Sequence, residues 1–192
     1  MASGTVQSDK EQELIAVGAS IAAGCVPCAT FHFRAARITG ASRDEIREAA
    51  GNAVRVRERA TEIMARLDVD RPRGRVPIQA SPSEEGTLLS ELISVSAAFA
   101  LNCTASLEAH VEAARRRGAS DAQIFTALKI ACAVKSMAAR KVQAAAAKAL
   151  GAEESAGEAC DCSERAPVLG SAALAGTREA KENCGDDCSC HN

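Results

Sequence analysis

Four residues near the start of the chain have the types and spacing for thiol redox chemistry. They are Glu13, Cys25, Cys28 and His32, the last three within GCVPCATFH. Pro27 sets Cys25 at the entrance of a helix and Cys28 in its first turn, where proline is tolerated. Spacings of three, four and seven then align Cys25, Cys28 and His32 along one face. A helix N-terminus stabilises thiolate over thiol, and a neighbouring His or Glu can take the proton. C-x-x-C spacing also lets one sulfur resolve a mixed disulfide or sulfenic acid formed on the other. Glu13, placed near the end of the preceding helix, can fold back to form a proton relay with His32. Two blander readings stay open: buried cysteines beside a core histidine, or a zinc site short of its usual four ligands.

The set recurs. Shifted by 78 positions, residues 13–60 match 91–138 at 19 of 48 positions, and Glu91, Cys103 and His110 fall on Glu13, Cys25 and His32. Glu, Cys, His, Arg, Gly and Ser all contribute, so alanine content does not explain the match; the chain is duplicated. The copy departs at one chemical position, where Ser106 stands for Cys28. Cys103 can be oxidised but has no local resolving partner, so the second site (Glu91, Cys103, Ser106, His110) reads as degenerate.

Helix punctuation places these residues. SRDE at 42–45 and SDAQ at 120–123 are capping boxes, and SDKE at 8–11 and SPSE at 81–84 open the first helix of each half. Each half reads as three helices: about 9–23, 26–39 and 43–67, then 83–101, 104–117 and 121–150. No period-2 alternation argues for a strand, so the fold class is all-α. Residues 8–70 form the first repeat, 71–82 a Pro- and Arg-rich linker, 83–150 the second repeat and 151–192 a tail. With 47% hydrophobic but 2% aromatic residues, the core is built from Ala, Val, Ile and Leu. Such a core buries little area per residue, which favours oligomerisation. Cys132 reads as plain core.

Glu13-x11-Cys25-x2-Cys28-x3-His32 resembles the signature of the alkylhydroperoxidase D-like proteins, in the carboxymuconolactone decarboxylase superfamily. ARITGASRDEI is similar to the helix-turn-helix that follows the active site there. The resemblance covers roughly 8–150. It implies an all-helical, oligomeric thiol-dependent peroxidase or disulfide reductase that needs no cofactor. Its substrate is a peroxide or disulfide, and its partner a thiol reductant or redox protein. Cys25 and Cys28 would cycle between dithiol and disulfide, with Glu13 and His32 moving protons. Cys28, one turn from His32, is the candidate for first attack and Cys25 for resolution, the reverse order remaining open. Six repeats per assembly imply a homotrimer of two-repeat chains. A cofactorless decarboxylase or isomerase is the further alternative, although that branch lacks the cysteine pair.

Five of the nine cysteines lie in the tail: Cys160, Cys162, Cys184, Cys188 and Cys190, with His191 beside the last. The segment carries −6 against +4 for the rest and has few large apolar residues, so it makes no core of its own, beyond a marginal helix near 171–182. Clustered thiols suit a soft metal or metalloid such as Zn²⁺, Hg²⁺ or arsenite, and equally a redox arm. A net charge of −2 gives no sign of nucleic-acid binding, and the run Arg115-Arg116-Arg117 reads as a solvated helix end. The N-terminus has no signal-peptide pattern and no apolar stretch reads as a membrane span, so a cytoplasmic protein is expected.

Overall fold

Six helices follow one another: α1 (Asp9–Ala22), α2 (Val26–Ile38), α3 (Arg43–Ala65), α4 (Leu88–Ala100), α5 (Thr104–Arg116) and α6 (Asp121–Ala149). They are seen in a computed structural model that describes residues 7–66 and 86–151, and among these residues there is no strand. The all-α expectation therefore holds. The linker lies entirely outside the described residues, as does the tail beyond Gly151 with its cysteines.

The caps act as their sequence suggests. Ser8, Ser42 and Ser120 accept from the backbone N–H three residues on, while Glu11, Glu45 and Gln123 reach back to the cap's own N–H. One start differs. α4 opens at Leu88 on the Thr87 cap, not at SPSE, whose residues lie outside the described set. Thr87 satisfies the Ser90 N–H at 3.1 Å, as SPSE was expected to do for an earlier turn. Glu45 also takes the Lys10 ammonium at 2.8 Å, tying the start of α3 to α1. That bond, with the Ser42 backbone and hydroxyl, holds the Glu45 carboxyl down at about 2 and raises Lys10 above its ordinary value.

α1 and α4 cross at the centre of the bundle, buried on nearly every side. Their contact is close because the side chains are small. A Cβ on Gly18 would come within 2.7 Å of Ile93 Cγ2, and Ser96, at the matching position of α4, donates to the Ile15 carbonyl at 2.9 Å. Ile15 and Ile93 are themselves a repeat pair, so the crossing is a pseudo-twofold. Around it, α2 packs on α1 and α5 on α4, while α3 and α6 each touch both central helices. Each half's third helix thus closes over the other half, and the halves interlock in one compact unit. Full burial of Leu14, Ile15, Leu92 and Ile93 contributes about 2 kcal/mol each.

Two expectations need amending. Cys132 is exposed, because the buried stripe of α6 runs through Ala131 and Val134 and leaves residue 132 about a third of a turn outside it. α6 is also long and apolar enough to cross a membrane by length and composition, through its alanines and sparse charge. Here its buried stripe packs on the bundle.

Candidate active site

The turn between α1 and α2 is where the site is made. Gly24 takes φ +70° to end α1, the Cys25 N–H bonds back to Ser20 O at 3.2 Å, and Cys25 becomes the N-cap of α2. Arg57, reaching from α3, donates to the Ile21 and Ala22 carbonyls at 2.9 and 3.3 Å and so fixes the end of α1 just ahead of the cysteine. The Cys28 N–H donates to Cys25 Sγ at 3.3 Å. An N–H and a helix N-terminus aimed at one sulfur stabilise negative charge there once the thiol is free.

Cys25 and Cys28 are joined as a disulfide, their Cα atoms 5.3 Å apart. Both are buried and pack against Ala138 of α6. His32 follows one turn later, and its Nδ1–H donates to Glu13 Oε2 at 2.9 Å. That bond leaves Nε2 as the ring nitrogen free for proton transfer. Glu13 was expected near the end of its helix; it sits five residues into α1. The hairpin runs α2 back along α1, so a residue early in α1 meets one midway along α2. All four residues expected at the first site are brought together.

Beside them is a cavity of about 630 Å³, lined by Glu13, Cys28 and His32 from the first half. Its walls are apolar: Pro27 and Phe31 on one side, Ile130, Val134 and Met137 of α6 on the other. Cys25 is not among its lining residues. Nothing in the short motif pointed to α6; only the interlocked packing brings the second half over the first half's chemistry.

The second site keeps the same frame with different contents. Asn102 takes the left-handed turn (φ +58°) in place of Gly24; Lys135 from α6 binds its side-chain oxygen, whereas Arg57, the repeat partner of Lys135, binds the Ile21 and Ala22 carbonyls. The Cys103 thiol donates to Ser106 Oγ at 3.1 Å, and His110 Nδ1–H donates to Glu91 Oε2 at 2.8 Å. Glu91 is 3% exposed and also receives Arg117 Nε at 3.4 Å. Arg117 is therefore partly buried and bonded to the relay carboxylate, correcting the solvated-end reading of the arginine run. Arg115 and Arg116 do pair at the surface, with Asp121 and Glu112. The sequence signal for Arg117 was present in the repeat alignment, where Thr39 stands opposite it.

A family model matches residues 5–74 and 88–154, one match for each half. The chain belongs to the carboxymuconolactone decarboxylase family. Two matched segments in one chain agree with a tandem two-repeat member of this family, as the resemblance implied. Among curated proteins none matches the chain with significance. The family has both decarboxylase-like and peroxidase-like members, so the choice of chemistry falls to the site. Among the described residues no group of three or more His, Cys, Asp or Glu could hold a metal, and the two sulfurs at the first site are bonded to each other. Cys160, Cys162, Cys184, Cys188, Cys190 and His191 lie outside the described residues.

Proposed function

We propose that this member of the family is a thiol-dependent peroxide reductase, with disulfide reduction as the reverse use of the same pair. The observation that carries the reading is that Cys28 and His32 face one cavity, while Glu13 orients the imidazole and Cys25 stands behind as the N-cap. In the reduced protein His32 takes the Cys28 proton, and the thiolate attacks the distal oxygen of ROOH. The O–O bond breaks, ROH leaves with the proton from His32, and Cys28 becomes a sulfenic acid. The Cys25 sulfur then attacks Cys28, the S–S bond forms and water leaves. Two equivalents of an external thiol reduce the disulfide and close the cycle. The test is peroxide consumption with a thiol such as dithiothreitol, together with mass spectrometry of the Cys25–Cys28 peptide. Turnover of a family substrate that survives loss of both cysteines would instead favour the decarboxylase or isomerase chemistry.

We also propose a homo-oligomer, a trimer of two-repeat chains. Val26, Phe31 and Ile38 on α2 are 76%, 64% and 85% exposed, more apolar surface than one short helix usually leaves in water. Light scattering that finds a monomer at micromolar concentration refutes it. For the tail, the spacing Cys184, Cys188, Cys190 supports capture of a soft metal or metalloid. Calorimetry with Zn²⁺ and arsenite, full chain against a chain ending at Gly151, tests this. Equal binding by both, or none tighter than about 10 μM (roughly −7 kcal/mol), removes the tail as a metal site.

A further inference from the structure

We infer that the cavity at the dithiol takes an amphipathic monocarboxylate, and that Lys141 selects its carboxylate. As a statement about substrate, an organic hydroperoxide bearing one carboxylate and an apolar body, it rests on the peroxide-reductase reading. The binding site itself does not.

The apolar walls belong to the dithiol site and not to the fold. Moving each wall residue by one repeat shows what the same frame carries elsewhere. Phe31 becomes Ala109, Pro27 becomes Ala105, Ile130 becomes Asn52, Ala133 becomes Arg55 and Met137 becomes Arg59, while Val134 keeps its type as Val56. Three apolar positions thus turn polar, and a fourth loses its aromatic ring, where the second cysteine is missing. Packing does not demand this pattern, because the other half folds into the same frame with small and polar residues there. A chamber of about 630 Å³ with such walls is in the size range that encloses a small organic molecule. Hydrogen peroxide would need none of it.

The polar groups then define the ends of that molecule. Two charged side chains besides His32 line the cavity, Glu13 and Lys141. Glu13 is engaged by His32 and repels an anion. Lys141 forms no ion pair or hydrogen bond among the described residues, and its repeat counterpart is Ile63, so this cation too is confined to the dithiol side. Along α6, Lys141 stands three residues beyond Ala138, the residue against which both cysteines pack. That is one turn, or about 5 Å of axial rise. Ile130 lies eight residues the other way, about 12 Å. A ligand with its carboxylate on Lys141 therefore passes its nearby carbons by Cys28 and lays its apolar body along α6 toward Ile130. A charge-assisted bond at this partly open rim is stronger than a neutral one, which makes the carboxylate the preferred head group.

The experiment uses two inert probes, octanoate and 1-octanol, titrated into the oxidised full-length protein, where no turnover occurs. Octanoate is expected to bind about tenfold more tightly than octanol. In Lys141→Gln that preference should collapse to near unity, and Met137→Ser should weaken both probes together. Equal affinity for the two probes in the native protein overturns the inference, as does a preference that survives Lys141→Gln. Failure here is distinguishable from failure of the function: a protein that reduces hydrogen peroxide with thiols but shows no Lys141-dependent octanoate binding keeps the activity and loses this site. The binding result without any peroxide reduction does the reverse.

Discussion

The two halves of this molecule hold nearly the same backbone around very different chemistry. Cys25 and Cys103 are both N-caps, at φ −94°, ψ 97° and φ −90°, ψ 91°, and each half sets a His about two turns deep against a Glu at 2.9 and 2.8 Å. What differs is local: Ser106 for Cys28, Arg117 for Thr39, and polar or small residues at most positions where the first cavity has apolar walls. Backbone and relay geometry are held by caps, turns and the α1–α4 crossing, none of which depends on the Cys28 sulfur. Chemistry can therefore be lost from one half while its frame is retained for packing.

The sharpest way to break this comparison is to remove sulfur from each half in turn. Cys25→Ser or Cys28→Ser should lower thiol-dependent peroxide turnover by at least about 100-fold, since no second thiol remains to complete the local cycle. Cys103→Ser should keep most of it. Equal losses in Cys28→Ser and Cys103→Ser, measured as kcat/KM, would mean that both halves work.

The centre of the bundle gives a second, structural asymmetry. Gly18 and Ser96 are repeat partners, yet only the serine has room for its side chain. Gly18→Ser should destabilise by about 1–3 kcal/mol, because its Cβ meets Ile93 Cγ2 at 2.7 Å and the Ile93 carbonyl at 3.2 Å. Ser96→Ala should cost nearer about 1 kcal/mol, the loss of its hydrogen bond to Ile15 O. Denaturant midpoints that reverse this order would show that the crossing is more plastic than its geometry suggests.

Restoring the missing sulfur tests whether the second frame is intact. Ser106 Oγ already lies 3.1 Å from Cys103 Sγ, so the Ser106→Cys variant should form a disulfide between its new thiol and Cys103 under mild oxidation, seen by mass spectrometry. Peroxide turnover should rise little, because Glu91 stays tied to Arg117 and most residues matching the first cavity's walls are polar or small. A doubling of turnover would make the cysteine the sole deficit of the second half.

Most of the frame was legible in the sequence. Capping boxes and repeat spacing located the helices because they are local signals, and Glu13, Cys25, Cys28 and His32 share one hairpin, so sequence distance was a fair guide to contact. Glu13 was misplaced along its helix although the opening signal at Ser8 already put it in the second turn. The start of α4 was missed because Thr87 has Ser90, not Glu or Gln, three residues on, and so lacks the capping-box signal that SPSE carries. The wall from α6 and the Arg117–Glu91 bond were not legible in the motif. Each depends on residues 26 to more than 100 positions apart, brought together by the interlocking of the halves. Cys132 shows the limit of pattern reading in an Ala-rich helix: with alanine on both the buried and exposed faces, the stripe loses its edge.

The smallest expected effect concerns the third capping position. The first half has Glu45 where the second has Gln123, and only the glutamate adds an ion pair, to Lys10 at 2.8 Å. Its carboxyl sits at about 2 instead of the ordinary 4.5, so the stabilisation is complete above about pH 4.5 and is lost as pH falls toward 2. Both partners are well exposed, which keeps the contribution small and sensitive to salt. Glu45→Gln imports the second half's residue, and its amide oxygen can still accept the Ser42 N–H, so the box survives. The variant should be slightly less stable than the native protein at pH 7 and low salt. Its acid unfolding between about pH 4.5 and 2 should be shallower, and the two curves should meet near pH 2. Parallel curves across that interval would mean that Lys10 and Glu45 do not pair in solution, leaving the two boxes energetically alike.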